Sequence, residues 1–365
     1  MIKIISKISK ILLPDFWYLR LKRFYLNYSY YFNYSYYFDF FNLVLIVKRL
    51  KSIFFNYKKV EIIDKDLILI GQIQRSGGTL LSQLFDNHSE LFNYPSELCL
   101  TSLKWDWSYD LKFSSMLNFA LRKNILSQNY EKLSKGKINY KTRNKFIFNP
   151  YIEKKIYKSL KGNDLRSKFN AYFTAFFNAF INYNTNNNNK KKFITAFLPR
   201  FIMIDKNIDF FFQIYPNGNL ISIIRDPRSW LISAKKHSKS YEDTLASLEL
   251  WKKNCENSLK YKNKYFNKII LIKFDDLILD SEVIMQKICL KMNINFEESL
   301  LSATFNGKYI NSDSSFKSEI GKIDKSTLEV KSKINILNYD DIEILKKYES
   351  WYQDFIKNKL ESLFI

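Results

Sequence analysis

The chain is poor in cysteine, glycine, proline and histidine: 365 residues hold 3, 8, 6 and 2 of them. Cys99, Cys255 and Cys289 are odd in number and form no CxxC pair. That excludes a disulfide framework and a cysteine-built zinc site, and predicts free thiols in a reducing, cytoplasmic setting. His88 and His237 stand in no metal-ligand cluster, so no metal is expected. So little glycine and proline argues against long disordered tails, with one exception, the polar tract 185–192 (Thr-Asn-Asn-Asn-Asn-Lys-Lys-Lys). Acidic residues are also in deficit. Lys and Arg number 58 against 36 Asp and Glu, a net charge of +22, which points to anionic partners such as nucleotides, acidic glycans or anionic lipid. Lys, Asn, Ile, Phe and Tyr are all over-used, as an AT-rich genome would produce, so coding bias accounts for part of the excess. No compact Lys/Arg block has the spacing of a nucleic-acid motif, and no nucleic-acid partner is expected.

The N-terminal segment also lacks a signal-peptide cleavage site. Residues 1–13 form a basic amphipathic stretch with Ile2, Ile5, Ile8 and Leu12 on one face, and no small-residue site follows. A hexapeptide, Asn-Tyr-Ser-Tyr-Tyr-Phe, then occurs twice, at 27–32 and 33–38. Two copies are too few for a repeat architecture. Between Phe24 and Val47 the only charge is Asp39, and the length suits a span of ~20 residues. The Asn, Ser and Tyr content argues against a span and suits a membrane interface better. Residues 1–66 are therefore read as a basic, aromatic, helical extension, either touching a membrane surface or packed on the domain at 67–365.

Leu67 to Leu81 reads Leu-Ile-Leu-Ile-Gly-Gln-Ile-Gln-Arg-Ser-Gly-Gly-Thr-Leu-Leu. A short apolar run enters a glycine turn, and an amphipathic helix follows, with Leu80, Leu81, Leu84 and Phe85 at helical spacing. The amides of the turn have no partners inside the helix, so they suit a phosphate or sulfate, with Arg75 beside them. Leu220 to Ile224 is a second buried strand. It runs into Arg225-Asp226-Pro227-Arg228, with Pro227 in the first turn of a helix and Ser233 two turns on. Arg225 and Ser233 can grip a phosphate; alternatively Arg225 pairs with Asp226 or Asp275 to hold a loop. Further strands are predicted at 92–98, 193–197 and 269–274. Helices are predicted at 79–87, 202–215, 241–265, 280–291, 296–301 and 339–364. Residues 101–183 look mostly helical, with an aromatic stripe through Phe169, Tyr172, Phe173, Phe176, Phe177 and Phe180. Strands alternating with helices predict an α/β fold, a central parallel sheet flanked by helices, with ligands at the carboxyl ends of the strands.

The turn is not an ATP or GTP loop of the ordinary kind, which needs Gly-Lys-Ser/Thr. Gln74-Arg-Ser-Gly-Gly-Thr-Leu-Leu81 instead resembles the 5′-phosphosulfate loop of the sulfotransferase superfamily, and Arg225-Asp-Pro-Arg to Ser233 resembles its 3′-phosphate motif. Ile272-Lys-Phe-Asp-Asp-Leu277 and Asn311-Ser-Asp-Ser-Ser-Phe316 with Gly321 resemble later segments of the same family, of the carbohydrate and tyrosylprotein type. The likeness covers about 67–100 and 193–330. It implies a P-loop NTPase-like nucleotide-binding core carrying a helical insertion at 101–192. It implies 3′-phosphoadenosine 5′-phosphosulfate (PAPS) as donor, held by Arg75, Ser76, Gly77, Gly78, Thr79, Leu80, Arg225 and Ser233, and a hydroxyl acceptor, here a glycan or glycolipid. By the same likeness Arg75 stabilises the leaving group, and Glu97, after the first helix, is the candidate base; the alternative for Glu97 is a surface carboxylate. Two departures stand out. Gly78 replaces a usual threonine, and Phe197-Leu198-Pro199 lacks the lysine of a Lys-x-Pro element. His88, at the end of the first helix, reads as a cap, and His237 as a solvated residue. The competing functions are an ATP-dependent phosphotransferase and a membrane-surface binding protein without catalysis.

Overall fold

The computed structural model describes residues 60–100, 106–107, 111, 113, 150–180, 183, 190–310, 321–323, 325–329, 336–360 and 363–365. The hexapeptide pair, the basic segment 1–13, most of the predicted helical stretch 101–149, the core of the polar tract and the 311–316 segment lie outside them. The compact body is Glu61–Ile365.

Five strands form one parallel sheet: β1 (Asp66–Ile70), β2 (Leu91–Glu97), β3 (Phe193–Phe197), β4 (Asn219–Ile224) and β5 (Ile269–Lys273). Their spatial order is β2-β3-β1-β4-β5, every pair parallel. Leu67, Ile68, Leu69 and Ile70 are all fully buried, as befits a strand covered on both faces rather than one alternating between core and solvent. The chain moves from β1 to β2 on one side and later to β4 on the other. The carboxyl end of β1 is therefore the point where the winding reverses, where α/β sheets open a crevice.

The helices are α1 (Gly78–Leu84), α2 (Pro150–Leu160), α3 (Leu165–Ala179), α4 (Asp205–Ile214), α5 (Pro227–His237), α6 (Thr244–Lys264), α7 (Phe274–Leu279), α8 (Ser281–Met292) and α9 (Tyr339–Phe355). The aromatic stripe lies on α3 and is buried. Phe169 meets Trp107 with ring centroids 4.8 Å apart, and Phe176 meets Tyr94 at 4.5 Å. The segment leading into β1, and the first residue of β1, are stitched to the same helix. Asn178 Oδ1 accepts from the Glu61 amide at 3.0 Å, Thr174 Oγ1 from the Ile63 amide at 2.9 Å, and Arg166 pairs with Asp66 at 2.7 Å.

Several predicted boundaries move. α1 stops at Leu84, not Asn87. The span 202–215 divides into a 3-10 turn, Phe201–Met203, and α4. α6 begins at Thr244, where Asp243 accepts from the Ala246 amide and caps the helix; residues 239–241 form a separate 3-10 turn. β5 ends at Lys273, and Phe274 opens α7, whose first turn carries Asp275 and Asp276. Carboxylates favour a helix start, which is why the strand stops where they begin. The predicted helix at 296–301 is a 3-10 turn, and the last helix ends at Phe355 in a wide turn, 356–360.

Candidate active site

β1 delivers the chain into a tight loop at the reversal point. Arg75 has φ 67° and Gly77 has φ 96°, so two left-handed residues flank Ser76. For arginine that conformation costs on the order of 1–3 kcal/mol and survives only where the surroundings enforce it. Gly77 is required for a second reason: a β-carbon there would lie 2.7 Å from Phe274 Cδ2. Gly77 offers no side chain to cap α1, and no acidic residue occupies the first turn. The amides of Gly78, Thr79 and Leu80 thus have no acceptor within the helix. α1 has only two turns, so the anion-binding capacity of this segment rests on the loop amides and on arginine more than on a helix dipole. Ser76 is fully buried, and its hydroxyl has no hydrogen-bond partner among the described residues. Thr79 is exposed; Gly78 and Leu80 are buried.

β4 delivers the second half. Asp226 accepts from the Ser229 amide and Pro227 takes the first helical position, so α5 starts directly after Arg225. The buried Arg225 guanidinium lies 4.2 Å above the Phe274 ring. It donates to Ser229 Oγ at 3.0 Å, to the Arg75 carbonyl at 2.9 Å and to the Thr327 carbonyl at 3.4 Å. Arg75 in turn donates from Nε to Ser233 Oγ at 3.2 Å. The structure therefore joins Arg75, Arg225 and Ser233 in one hydrogen-bonded cluster. Two indoles brace it: Trp230 Nε1 donates to the Gln74 carbonyl at 2.8 Å and Trp251 Nε1 to the Arg225 carbonyl at 3.0 Å. Burial pushes the carboxyls of Asp226 and Asp275 up, and the Asp226 charge pushes Asp275 further; the Arg225 charge acts on Asp275 in the opposite sense.

Glu97 ends β2. It lies opposite Phe197 in the ladder, and the Leu98 amide donates to the Phe197 carbonyl at 2.7 Å. Because all strands are parallel, Glu97 and Arg75 share the carboxyl edge of the sheet. β3 stands between their strands, a lateral separation of about 10 Å. Cys99 Sγ is 3.7 Å from Glu97 Oε2. His88 is fully buried; its Nδ1 accepts from the Glu90 amide at 3.0 Å, which leaves Nε2 to donate to the Asn295 carbonyl at 2.7 Å. It is tied into the fold, away from the arginines. His237 closes α5 and is exposed.

Arg200 was not among the predicted site residues. It follows β3 with φ 64°, donates from Nε to Gln74 Oε1 at 2.6 Å and from Nη2 to the Tyr241 hydroxyl at 3.2 Å. A signal existed in the sequence: like Arg75 and Arg225, it stands just past the end of an apolar strand. Among the described residues no group of three or more His, Cys, Asp or Glu side chains is placed to hold a metal ion.

A family model described as the sulfotransferase family matches residues 67–298. No curated protein matches the chain. Similar solved structures include the sulfotransferase domain from the curacin biosynthetic pathway, 17% identical over 80% of this chain and 99% of that one, with a TM-score of 0.44. The sulfotransferase domain of the Synechococcus PCC 7002 olefin synthase is 13% identical over 80% and 98%, with a TM-score of 0.41. A sulfotransferase from Alicyclobacillus acidocaldarius is 11% identical over 79% and 97%, with a TM-score of 0.39.

Proposed function

The chain belongs to the sulfotransferase family, and we propose that it moves a sulfuryl group from PAPS to an acceptor hydroxyl, with a glycan or glycolipid as the acceptor class. The observation that carries this reading is the junction of two motifs 150 residues apart: Arg225 holds the Arg75 carbonyl while Arg75 reaches Ser233. One charged cluster thereby serves the loop after β1 and the helix after β4. A ligand with an anionic group at each end fits that arrangement better than one with a single phosphate. The donor supplies a sulfuryl group on a phosphate leaving oxygen. Its 5′ end would lie against Arg75, Ser76, Gly77, Gly78, Thr79 and Leu80, and the buried Ser76 hydroxyl, without a partner among the described residues, suits an acceptor oxygen there. Its 3′-phosphate would lie against Arg225 and Ser233.

The residues divide the work of an in-line displacement. The acceptor oxygen bonds to sulfur as the bond from sulfur to the phosphate oxygen breaks, and the departing phosphate keeps the electron pair. Arg75 and the loop amides stabilise that charge. Glu97, at the same edge of the sheet, takes the hydroxyl proton. The acceptor assignment rests on the net charge of +22 and the aromatic content, which suit a polar, anionic or membrane-borne glycan.

Calorimetric titration with 3′-phosphoadenosine 5′-phosphate (PAP), and separately with ATP and magnesium, tests the donor. Binding of PAP in preference to ATP is the expected result. Preference for ATP with magnesium would overturn the reading in favour of a phosphotransferase.

A further inference from the structure

One polar side chain under the anion loop has no task in the scheme above. Gln72 lies two residues past the end of β1 and is fully buried. Its backbone is fixed, since its carbonyl accepts from the Arg200 amide at 2.8 Å. Its side chain runs beneath the loop to Gly78. A β-carbon on Gly78 would lie 2.0 Å from Gln72 Nε2 and 2.4 Å from Phe197 Cε2. The carboxamide therefore occupies the space that a side chain at position 78 would need. Neither Nε2 nor Oε1 has a hydrogen-bond partner among the described residues, and the same holds for the Ser76 hydroxyl four residues on.

Burying a carboxamide with both ends unpartnered destabilises a fold, and an apolar side chain of the same shape would avoid the cost. An unpartnered buried polar group of this kind calls for an explanation, and a bound ion is one. The neighbouring charges say what that is. Arg75 is three residues away in the same loop, and Arg225 holds its carbonyl. The complementary ligand is an anion with several acceptor oxygens. With no side chain on Gly78, the buried carboxamide packs directly under the backbone of the loop at that position.

We propose that Gln72 is an anion-binding residue of this site, its Nε2–H donating to an oxygen of the bound phosphosulfate and supplying the side-chain contact that Gly78 cannot make. This rests on the donor reading above and extends it to a residue outside the paired motifs. Positions 72 and 78 then act as a unit: one side chain, from either position, fills the space.

Gln72→Met tests the proposal, because it keeps length and shape and removes both polar atoms. The free protein should melt at the same temperature or higher. Its affinity for PAP, and for inorganic pyrophosphate as a probe independent of the nucleotide, should fall about tenfold or more, as expected for a lost hydrogen bond to a charged group. Gln72→Glu, which sets a carboxylate against the anion, should bind more weakly still. Affinities within twofold of the wild type would overturn the proposal. So would a loss of affinity accompanied by a lower melting temperature, which would assign the carboxamide to the fold. A wild type that binds pyrophosphate but not PAP would sink the donor reading and leave Gln72 to be judged on pyrophosphate alone; a wild type that binds neither would overturn both.

Discussion

Arg75, Arg225 and Ser233 can be found in the sequence because their chemistry is carried by type and spacing. An arginine just past a buried strand, with a hydroxyl two helical turns on, is visible without coordinates. Gln72 is not visible in that way. The importance of Gln72 comes from what it touches, Gly78 and Phe197, and that contact exists only after β3 has docked beside β1. The same limit applies to Glu97, whose position at the edge follows from sheet order rather than from its own surroundings in the chain. If Glu97 is the base, Glu97→Gln should lower kcat by roughly 10²–10⁴ while leaving PAP affinity within twofold; unchanged turnover would remove it from the mechanism. Asp275 allows a pH test. Burial raises its carboxyl above 3.8, so the ionised form is disfavoured in the folded state. Its contribution to stability is full below that value and is lost as pH rises through the folded pKa. Asp275→Asn cannot ionise. Its melting temperature should match the wild type near pH 3.5 and exceed it at pH 7. An advantage largest at low pH would contradict the assignment.

At the scale of elements, the strands were legible and their ends less so. β1, β3, β4 and β5 are short apolar runs between polar turns, and covered parallel strands look like that in any sequence. Helix ends depend on single side chains that compete with one another. Asp243 rather than Tyr241 starts α6, and Asp275 and Asp276 convert the end of a predicted strand into α7. The aromatic stripe is an element-scale feature with an energetic meaning. Phe176 on α3 is fully buried and meets Tyr94, Phe177 and Phe180. Phe176→Ala should destabilise the fold by about 3–5 kcal/mol in chemical denaturation. Because Phe176 packs against Tyr94, Phe177 and Phe180, PAP affinity of the folded fraction should change less than twofold. A large loss of affinity at full folding would show that the stripe shapes the donor site.

For the molecule as a whole, the α/β class and the parallel sheet followed from alternation of strands and helices, but the strand order did not. β3 inserts between β1 and β2 although some 95 residues of chain separate it from β2, and no local pattern encodes that. The net charge of +22 likewise names a sign of partner without naming the partner. The basic and aromatic extension is read as residues 1–66, and its last residues are bonded to the body, through Glu61 and Ile63 to α3. A chain starting at Glu61 keeps those bonds. If the extension serves a membrane surface, the full chain should float with vesicles containing anionic lipid, and the chain starting at Glu61 should not. Equal behaviour of the two would remove the membrane role.

The central claim is a two-ended grip, with Arg225 and Ser233 on the 3′-phosphate and the Arg75 loop on the 5′ end. The most direct measurement compares adenosine 5′-phosphate with PAP, which differ only in the 3′-phosphate, on the wild type and on Arg225→Ala by calorimetry. The wild type should bind PAP at least tenfold more tightly than adenosine 5′-phosphate, and the substitution should erase that preference while changing adenosine 5′-phosphate affinity far less. Equal losses for both ligands, or a preference for PAP that survives Arg225→Ala, would contradict the grip.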